Sequence, residues 1–160
     1  MNKEQIQEKL TAYFGIVKEK TKKEVGFDDR KSAYDIAHSH FRGTGFGEHF
    51  EASLSYLYHQ YHFIGVQEQM LEDRPVWIKE NEEQIQQLSS KKFKWYQFLA
   101  KRENEREIER IRSWSNELFE DQNNAPSFIA KLRDKHNEVM EKTLQQYKEE
   151  IIKFLEENNK

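Results

Sequence analysis

Residues 75–121 read PVWIKENEEQIQQLSSKKFKWYQFLAKRENEREIERIRSWSNELFED, with one proline at the first position and no glycine. The absence of glycine extends from Val66 to Lys160, where Pro75 and Pro126 are the only prolines. Glycine and proline are the residues that most often interrupt regular structure. Because Glu, Lys, Gln, Arg and Leu are abundant here, the stretch predicts long α-helices.

The composition indicates how such helices pack. The chain has 160 residues, of which 36% are hydrophobic, 34% charged and 13% aromatic. Few but large apolar side chains suit narrow seams between helices, because each aromatic ring buries about 150–250 Å². We therefore expect an all-α fold, an elongated bundle of about five helices, the last two long, with coiled-coil-like packing. We expect a single domain over 1–160, with a compact part at 1–72 and a long helical hairpin at 73–160.

Capping residues and apolar spacing locate the first helices. Asn2 and Gln5 form a capping box, which predicts a helix from Lys3 to about Val25. A shorter helix is expected from Asp28 or Asp29 to about Phe41. A central helix follows, because apolar residues then recur at heptad spacing, a pattern typical of helices packed at a shallow angle. These residues are Phe50, Leu54, Leu57, Tyr61, Ile64 and Leu71.

Prolines and small polar residues mark the expected helix ends in the second half. Asp73-Arg74-Pro75 predicts a helix that begins with Asp73 as N-cap and proline in its first turn. Gln122-Asn123-Asn124 predicts a turn, and Asn124 then caps a last helix that begins at Pro126. The helix between them has a soft point at Ser89-Ser90. It either breaks there or extends for roughly 70 Å.

Charge and cysteine content exclude several classes of protein. The net charge is −3, so nothing in the overall charge demands a nucleic acid or an anionic membrane as partner. The chain has no cysteine, which excludes disulfides, thiolate metal sites and a cysteine nucleophile. The first residues contain no apolar signal-peptide core, and no stretch is long and apolar enough to predict a membrane span. We expect a soluble cytoplasmic protein with no membrane association and no cofactor.

Histidines are concentrated between positions 38 and 62, where five of the six occur. Asp35 and His38 are three residues apart, as are His59 and His62, and each pair would face one way from a helix. Di-iron bundle proteins use carboxylate and histidine at this spacing, but their repeated Glu-x-x-His motif is missing. The pattern favours polar surface groups or buried hydrogen-bonded groups. A metal site built from these four residues is the alternative.

Arg42 and His49 frame the loop Gly43-Thr44-Gly45-Phe46-Gly47. An arginine followed by four to six residues and a histidine resembles the catalytic signature of HEPN-domain ribonucleases, an all-helical family. The resemblance covers eight residues and implies RNA cleavage, with His49 as acid–base and Arg42 holding phosphate. The three glycines depart from the helix end on which that family carries its motif. The loop itself predicts a tight turn between two helices, with Phe46 packed into the core.

Residues 91–112 combine eight basic side chains with four acidic ones and several aromatic rings. Cations beside aromatic rings are typical of single-stranded nucleic-acid contacts. The glutamates between the arginines would repel phosphate, and the helical spacing of the aromatic residues favours their packing in a core. A solvated helix face is therefore the favoured interpretation of this segment.

No catalytic motif stands out, so the sequence favours a non-enzymatic interaction protein: an adaptor, inhibitor or regulator that binds a protein partner or a second copy of itself. Trp and Tyr are common at interface hot spots. The alternatives are a nucleic-acid-binding protein that uses helix 91–112, or a metal-dependent or HEPN-like enzyme that uses segment 35–62. The candidate partner-binding residues are Trp77, Trp95, Tyr96, Arg106, Arg110 and Trp114.

Overall fold

The computed structural model describes residues 1–25 and 38–158, with side chains described for 1–22 and 38–158. These residues form an all-α bundle and contain no β-strand, as the sequence predicts. The helices are α1 (Lys3–Val25), α2 (Glu48–Ser89), α3 (Phe98–Gln146) and α4 (Lys148–Asn158), and residues 38–41 are also helical. The beginning of the short helix expected from Asp28 or Asp29 lies outside the described residues.

Helix α1 begins as the sequence predicts. The Gln5 main-chain N–H donates to Asn2 Oδ1 at 2.8 Å, and the Asn2 N–H donates to Gln5 Oε1 at 3.0 Å. This reciprocal pair satisfies two main-chain donors that a helix start otherwise leaves exposed. The apolar stripe of α1 is fully buried, and its residues are Ile6, Leu10, Phe14 and Val17.

The two prolines do not begin helices, which corrects the predicted boundaries. Pro75 lies inside α2 and Pro126 lies inside α3. The turn predicted at Gln122-Asn123-Asn124 is also wrong, because these residues are helical. In both helices apolar or half-buried residues continue at three- and four-residue spacing past the proline, so packing outweighs the local cost of about 3 kcal/mol.

Pro75 leaves one helical hydrogen bond unmade, and a neighbouring side chain replaces it. Proline has no N–H to donate to the carbonyl four residues earlier, which here belongs to Leu71. The Gln122 side chain on α3 donates from Nε2 to this carbonyl oxygen at 3.0 Å. One polar contact therefore satisfies the group that Pro75 frees and also joins α2 to α3.

The helix expected over 75–121 breaks near its soft point. Helix α2 ends at Ser89 and α3 begins at Phe98, so residues 90–97 form the connection. The expected last helix is interrupted by a bend at Tyr147, which separates α3 from the 11-residue α4. The long helices are therefore the middle ones, α2 with 42 residues and α3 with 49, and the last one is short.

The chain divides into two compact units. We call residues 1–65 and 131–160 the core unit and residues 66–130 the hairpin unit. The expected division into a single domain with parts at 1–72 and 73–160 stays a prediction. None of the helices within the described ranges combines the length and the apolar character that crossing a bilayer requires.

Aromatic rings fill the centre of the core unit. Phe14, Phe41 and Tyr58 are fully buried, and their ring centroids lie 5.8–6.0 Å apart. Phe154 of α4 contacts Phe50 of α2 at 6.0 Å. Pairs of this geometry contribute about 0.5–1.5 kcal/mol each beyond the area that they bury. Phe50, Leu54 and Leu57 of the predicted heptad are part of this core, and Tyr61 packs against it.

The glycine loop before α2 is the expected tight turn. Gly45 and Gly47 have φ angles of 80° and 101°, a region that side chains disfavour. Phe46 is partly buried against the core, with its ring 5.2 Å from that of Phe50. The loop therefore connects two helices while one of its side chains joins the core, as predicted.

We expect Gln122→Ala to lower the free energy of unfolding by about 1–3 kcal/mol, because the Leu71 carbonyl would lose its donor. In the Pro75→Ala variant, the new alanine supplies a main-chain N–H that donates to the Leu71 carbonyl. In that background Gln122→Ala should therefore lower the free energy of unfolding by clearly less. Urea unfolding of the four proteins in this double-mutant cycle measures the coupling. Gln86→Ala, at an exposed position on α2, is the control. Equal costs of Gln122→Ala in both backgrounds would contradict this account of Pro75.

Candidate interaction surface

A single seam joins α2 and α3 in the hairpin unit. Asn104 Nδ2 donates to the Leu88 carbonyl at 2.9 Å, and the bond from Gln122 to Leu71 fixes the same antiparallel register further along. Seam positions recur every three and four residues, the spacing of coiled coils. The buried and half-buried seam residues are Gln67, Leu71, Arg74, Ile78, Asn81, Ile85 and Leu88 on α2, with Asn104, Ile108, Ile111, Ser115, Leu118, Gln122, Ala125 and Ile129 on α3.

The interior of this seam is unusually polar. Arg74 and Asn81 are the only seam residues of α2 that are buried rather than half-buried, and Arg74 is only 5% exposed. Arg74 Nε and Nη1 and Asn81 Nδ2 form no hydrogen bond with the described part of the chain. Burying polar groups without partners costs free energy. The seam therefore stabilises the hairpin unit less than an apolar seam of the same length would.

The exterior of the hairpin unit carries most of the exposed large apolar side chains of the described residues. Thirteen large apolar side chains are exposed among the described residues, and nine of them belong to this unit of 65 residues. Contiguous exposed apolar patches mark sites of interaction, whereas single exposed residues are ordinary. The nine are Val66, Val76, Trp95, Tyr96, Phe98, Leu99, Trp114, Phe119 and Phe128.

Four of these side chains lie at the tip of the hairpin, which we define as residues 90–102. Trp95 is 92% exposed, and its ring packs edge-on against Tyr96 with centroids 5.7 Å apart. The Lys94 N–H donates to Gln97 Oε1 and the Gln97 N–H donates to the Lys94 carbonyl, both at 2.9 Å. The tip is therefore a hydrogen-bonded turn that holds both rings in solvent. Phe98 and Leu99 follow on the first turn of α3.

The interpretation that the aromatic residues of this segment pack in a core is wrong for Trp95, Tyr96 and Phe98. All three are exposed, and the first two lie in a loop rather than on a helix. Trp95 and Phe98 are three residues apart. This spacing occurs in connections as well as in helices, so spacing alone did not distinguish the two. The break of the helix at Ser89 is what exposes them.

The cations of the same region fall into two groups. Lys91, Lys92, Lys94, Lys101 and Arg102 belong to the tip, and no acidic residue occurs between positions 84 and 102. Arg106 and Arg110 lie beyond it among the glutamates of α3. Arg110 donates from Nε and Nη2 to the Glu107 carboxylate at 2.9 and 2.6 Å, so its charge is locally compensated. Lys101 is also ion-paired, with its Nζ 3.9 Å from Glu105 Oε1. The acid-free cluster of positive charge is thus formed by Lys91, Lys92 and Lys94.

Trp77 and Trp114 lie beside the seam rather than within it. Each residue directly precedes a seam position, Ile78 in α2 and Ser115 in α3. Trp77 is half-buried and Trp114 is 49% exposed. The structure therefore places all six candidate partner-binding residues in the hairpin unit, three of them in or beside the tip.

The catalytic candidates Arg42 and His49 are both exposed in the core unit. A cleft of about 500 Å³ is lined by Arg42 together with His38 and two carboxylates, Glu48 and Glu51, and His49 is not among its lining residues. Glu51 Oε1 accepts hydrogen bonds from the Thr44 N–H at 2.9 Å and from its hydroxyl at 3.1 Å. The cleft thus brings Arg42 beside a different histidine from the one in the HEPN-like pair.

The histidines considered as metal ligands have different surroundings. His38 Nδ1 lies 3.1 Å from Ser55 Oγ, His62 stacks on Tyr58, and His59 is exposed. Asp35 lies outside the described residues. Within residues 1–25 and 38–158 no group of three or more histidine or acidic side chains has an arrangement that would hold a metal ion.

Comparison of the chain with family models, with curated proteins and with solved structures finds no match. The function must therefore be argued from the chain's own surfaces.

Sequence reasoning missed several residues of the hairpin unit. Leu99 and Phe119 are exposed, and Arg74 is buried, although none of the three was singled out. The signal was available for Arg74, because Leu71, Arg74 and Ile78 continue the heptad of α2 past the proline. Interpreting Pro75 as a helix start concealed it.

Burial changes the pKa of two histidines in the core unit. Burial lowers the pKa of His62, and the positive charges of Lys18, His59 and Lys22 lower it further. Burial also lowers the pKa of His136, whose Nδ1 lies 3.4 Å from Gln60 Oε1. Both imidazoles are therefore held in the neutral form more strongly than in the unfolded chain.

We expect the core unit to lose stability as the pH falls below about 6.5. The unfolded chain protonates its histidines near that pH, whereas the folded protein resists protonation of His62 and His136 down to lower pH. Urea unfolding between pH 8 and pH 5.5 measures the effect. His62→Phe keeps a ring beside Tyr58 and should flatten the pH dependence, as should His136→Phe. An unchanged slope in both variants would contradict this assignment.

Proposed function

We propose that this chain is a helical interaction protein whose hairpin unit binds a protein partner or a second copy of the chain. The observation that supports the proposal most directly is the tip, where Trp95, Phe98 and Leu99 are exposed together. A soluble protein gains nothing in stability from apolar side chains in water, whereas docking removes their surface from solvent. We place this activity in the cytoplasm, which the absence of cysteine favours.

The residue types at the tip suit such a role. Trp and Tyr supply large contact areas at low entropic cost and dominate interface hot spots. The hydrogen bonds between Lys94 and Gln97 hold Trp95 and Tyr96 in place before any partner arrives. Preorganisation of this kind raises affinity because less freedom is lost on binding.

The polar seam gives a second reason for docking. A hairpin with Arg74 and Asn81 buried between its helices has little apolar core of its own. Its buried apolar residues all come from α3, and they are Ile111, Leu118, Ala125 and Ile129. A partner that docks on the exposed apolar side chains would bury apolar surface that the seam itself leaves in water.

We expect affinity capture from the native host to return a stoichiometric protein partner or a second copy of the chain, and Trp95→Ser/Leu99→Ser to weaken capture of a tip-bound partner by about tenfold or more. Mass spectrometry identifies the partner, and calorimetry with the purified partner measures the affinity. Ile16→Ser is the matched control, because Ile16 is 50% exposed in the core unit. Equal loss in the control would contradict binding through the tip, and absence of any partner or self-association would contradict the proposal.

A second candidate function is single-stranded nucleic-acid binding, favoured by the acid-free tip. Five cations and two exposed rings, Trp95 and Tyr96, lie within residues 91–102. Cations attract phosphate, and aromatic faces stack on bases. The same five cations also suit an acidic protein surface.

If the tip binds nucleic acid, Lys92→Glu and Lys94→Glu should each weaken binding of an RNA of about 20 nucleotides by about tenfold at low salt. Arg110→Glu is the control with the smaller effect, because Glu107 already compensates its charge. Fluorescence anisotropy over a salt series measures both. No binding, or an affinity independent of salt, would exclude this candidate.

A further inference from the structure

The tip of the hairpin exposes almost all of its turn. Residues 91–100 are exposed except Phe93, which is half-buried. They include four large apolar side chains within five consecutive positions, and the exposed fraction of Trp95 reaches 92%. Single exposed apolar residues are ordinary on a protein surface, whereas a group of them marks a contact site. The four side chains are Trp95, Tyr96, Phe98 and Leu99.

Three lysines share this turn with the apolar side chains. Lys91, Lys92 and Lys94 are exposed, and no acidic residue occurs between positions 84 and 102. The ammonium group of Lys94 lies 5.9 Å from the centroid of the Tyr96 ring. The hydrogen bonds between Lys94 and Gln97 hold the turn that carries both side chains. One hydrogen-bonded turn therefore presents positive charge and apolar surface together.

The carboxylates nearest in sequence lie further back along the two helices. Glu83 is six residues before the end of α2 at Ser89, and Glu103 is five residues after the start of α3 at Phe98. At about 1.5 Å per residue these separations are about 9 and 8 Å. Charges are screened over about 8 Å at physiological ionic strength. An anionic surface that meets the tip end-on therefore reaches the lysines before the carboxylates repel it.

We propose that the tip docks on the surface of an anionic lipid bilayer. In this arrangement the three lysines contact the headgroups, and Trp95, Phe98 and Leu99 enter the boundary between headgroups and acyl chains. Such a contact is made at the membrane surface and needs no helix that crosses the bilayer. The inference goes beyond the protein-binding function proposed above, because it assigns a different class of partner to the tip.

The residue types favour a bilayer over other anionic surfaces. Tryptophan and tyrosine are enriched at membrane–water interfaces, and lysine places its ammonium group among headgroups while its stem lies along apolar surface. Nucleic acid offers bases on which Trp95 and Tyr96 could stack, but it offers no apolar phase for Leu99. A pocket in a protein has to match the fixed directions of four side chains, whereas fluid lipid adjusts to them.

The overall charge of the chain does not oppose this contact. The expectation of no membrane association rests on the net charge of −3 and on the lack of an apolar span, neither of which describes the tip. Glu72 and Asp121 adjoin in sequence the contact between Leu71 and Gln122. This contact is 17 residues from Leu88, about 25 Å along α2. At that distance their repulsion is screened, so the local charge of the tip decides.

Vesicle binding provides the main test. The full chain is mixed with vesicles of phosphatidylcholine that contain about 30% phosphatidylserine, or with vesicles of phosphatidylcholine alone, and co-sedimentation measures the bound fraction. We expect binding to the anionic vesicles to be about tenfold tighter or more. Lys91→Glu/Lys92→Glu/Lys94→Glu should weaken it by about a hundredfold, because each lysine near an anionic surface contributes about fivefold.

The matched control changes the net charge equally at another place. Lys9→Glu/Lys20→Glu/Lys153→Glu replaces three exposed lysines of the core unit and should bind anionic vesicles nearly as well as the wild type. Trp95→Ser/Leu99→Ser should weaken binding by about tenfold, because binding scales with the apolar area that enters the interface. All of these positions are exposed, so we expect the fold to be kept, and far-UV circular dichroism checks it.

Tryptophan emission tests which part of the chain enters the lipid. Anionic vesicles should shift the emission of the wild type to shorter wavelength, because Trp95 leaves water. Trp95→Phe keeps an apolar ring and should still bind, but the shift should be lost. Trp77→Phe and Trp114→Phe should keep the shift. Trp77 is 12 residues from Ser89 and Trp114 is 16 from Phe98, about 18 and 24 Å along their helices.

Each result decides the inference. Absence of binding to anionic vesicles at millimolar lipid overturns it, and so does binding that the tip lysine variant and Trp95→Ser/Leu99→Ser both retain. An affinity that does not fall with added salt also contradicts it, because the lysines act through charge. Binding of RNA without binding of vesicles would assign the tip to nucleic acid and would likewise overturn the inference.

The inference and the proposed function fail separately. A chain that binds anionic vesicles through the tip but captures no protein and does not self-associate keeps this inference and removes the protein-binding proposal. A chain that captures a partner through the tip but does not bind vesicles has the opposite consequence.

Discussion

The hairpin unit depends on how a helix passes through a proline. Pro75 removes one main-chain donor from α2, yet the helix continues because packing outweighs this loss. The Gln122 side chain of the facing helix satisfies the Leu71 carbonyl that the proline leaves without a donor. The same bond holds α2 at Leu71 beside α3 at Gln122. Without that continuity, α2 would end near Asp73, and neither the seam from Gln67 to Leu88 nor the distant tip would exist. The exposed tip therefore depends on the continuation of α2 through Pro75.

The two units distribute their apolar side chains in opposite ways. In the core unit, Phe14, Phe41 and Tyr58 are fully buried, and their mutual contacts order three helical segments. In the hairpin unit, Arg74 is buried and Trp95 is exposed. A polar group buried between two helices contributes little to stability. It can favour one register of the helices, because other registers would place it against apolar side chains. The hairpin unit thus buries polar groups and exposes large apolar side chains, whereas the core unit buries its aromatic rings.

Sequence reasoning recovered those features of the fold that follow from local rules. The capping box of Asn2 and Gln5, the buried heptad from Phe50 to Ile64 and the all-α class all follow from short-range patterns. It failed where a distant contact overrides a local preference. Pro126 and the run at 122–124 indicate a helix boundary until a facing helix supplies the packing. The sequence also did not reveal that Trp95 is exposed. Its exposure depends on where α2 ends and not on the spacing of aromatic residues. Of the candidate site, the sequence identified Trp77, Trp95 and Trp114 but not the side of the hairpin on which each lies.

The position of the tryptophans has a practical consequence. All three lie in the hairpin unit and none in the core unit. Indole emission from the unmodified protein therefore reports on one unit alone, whereas the peptide signal in the far ultraviolet reports on both. The two optical signals separate events in the hairpin from events in the core without any label. The molecule thus carries a built-in spectroscopic reporter in the hairpin unit.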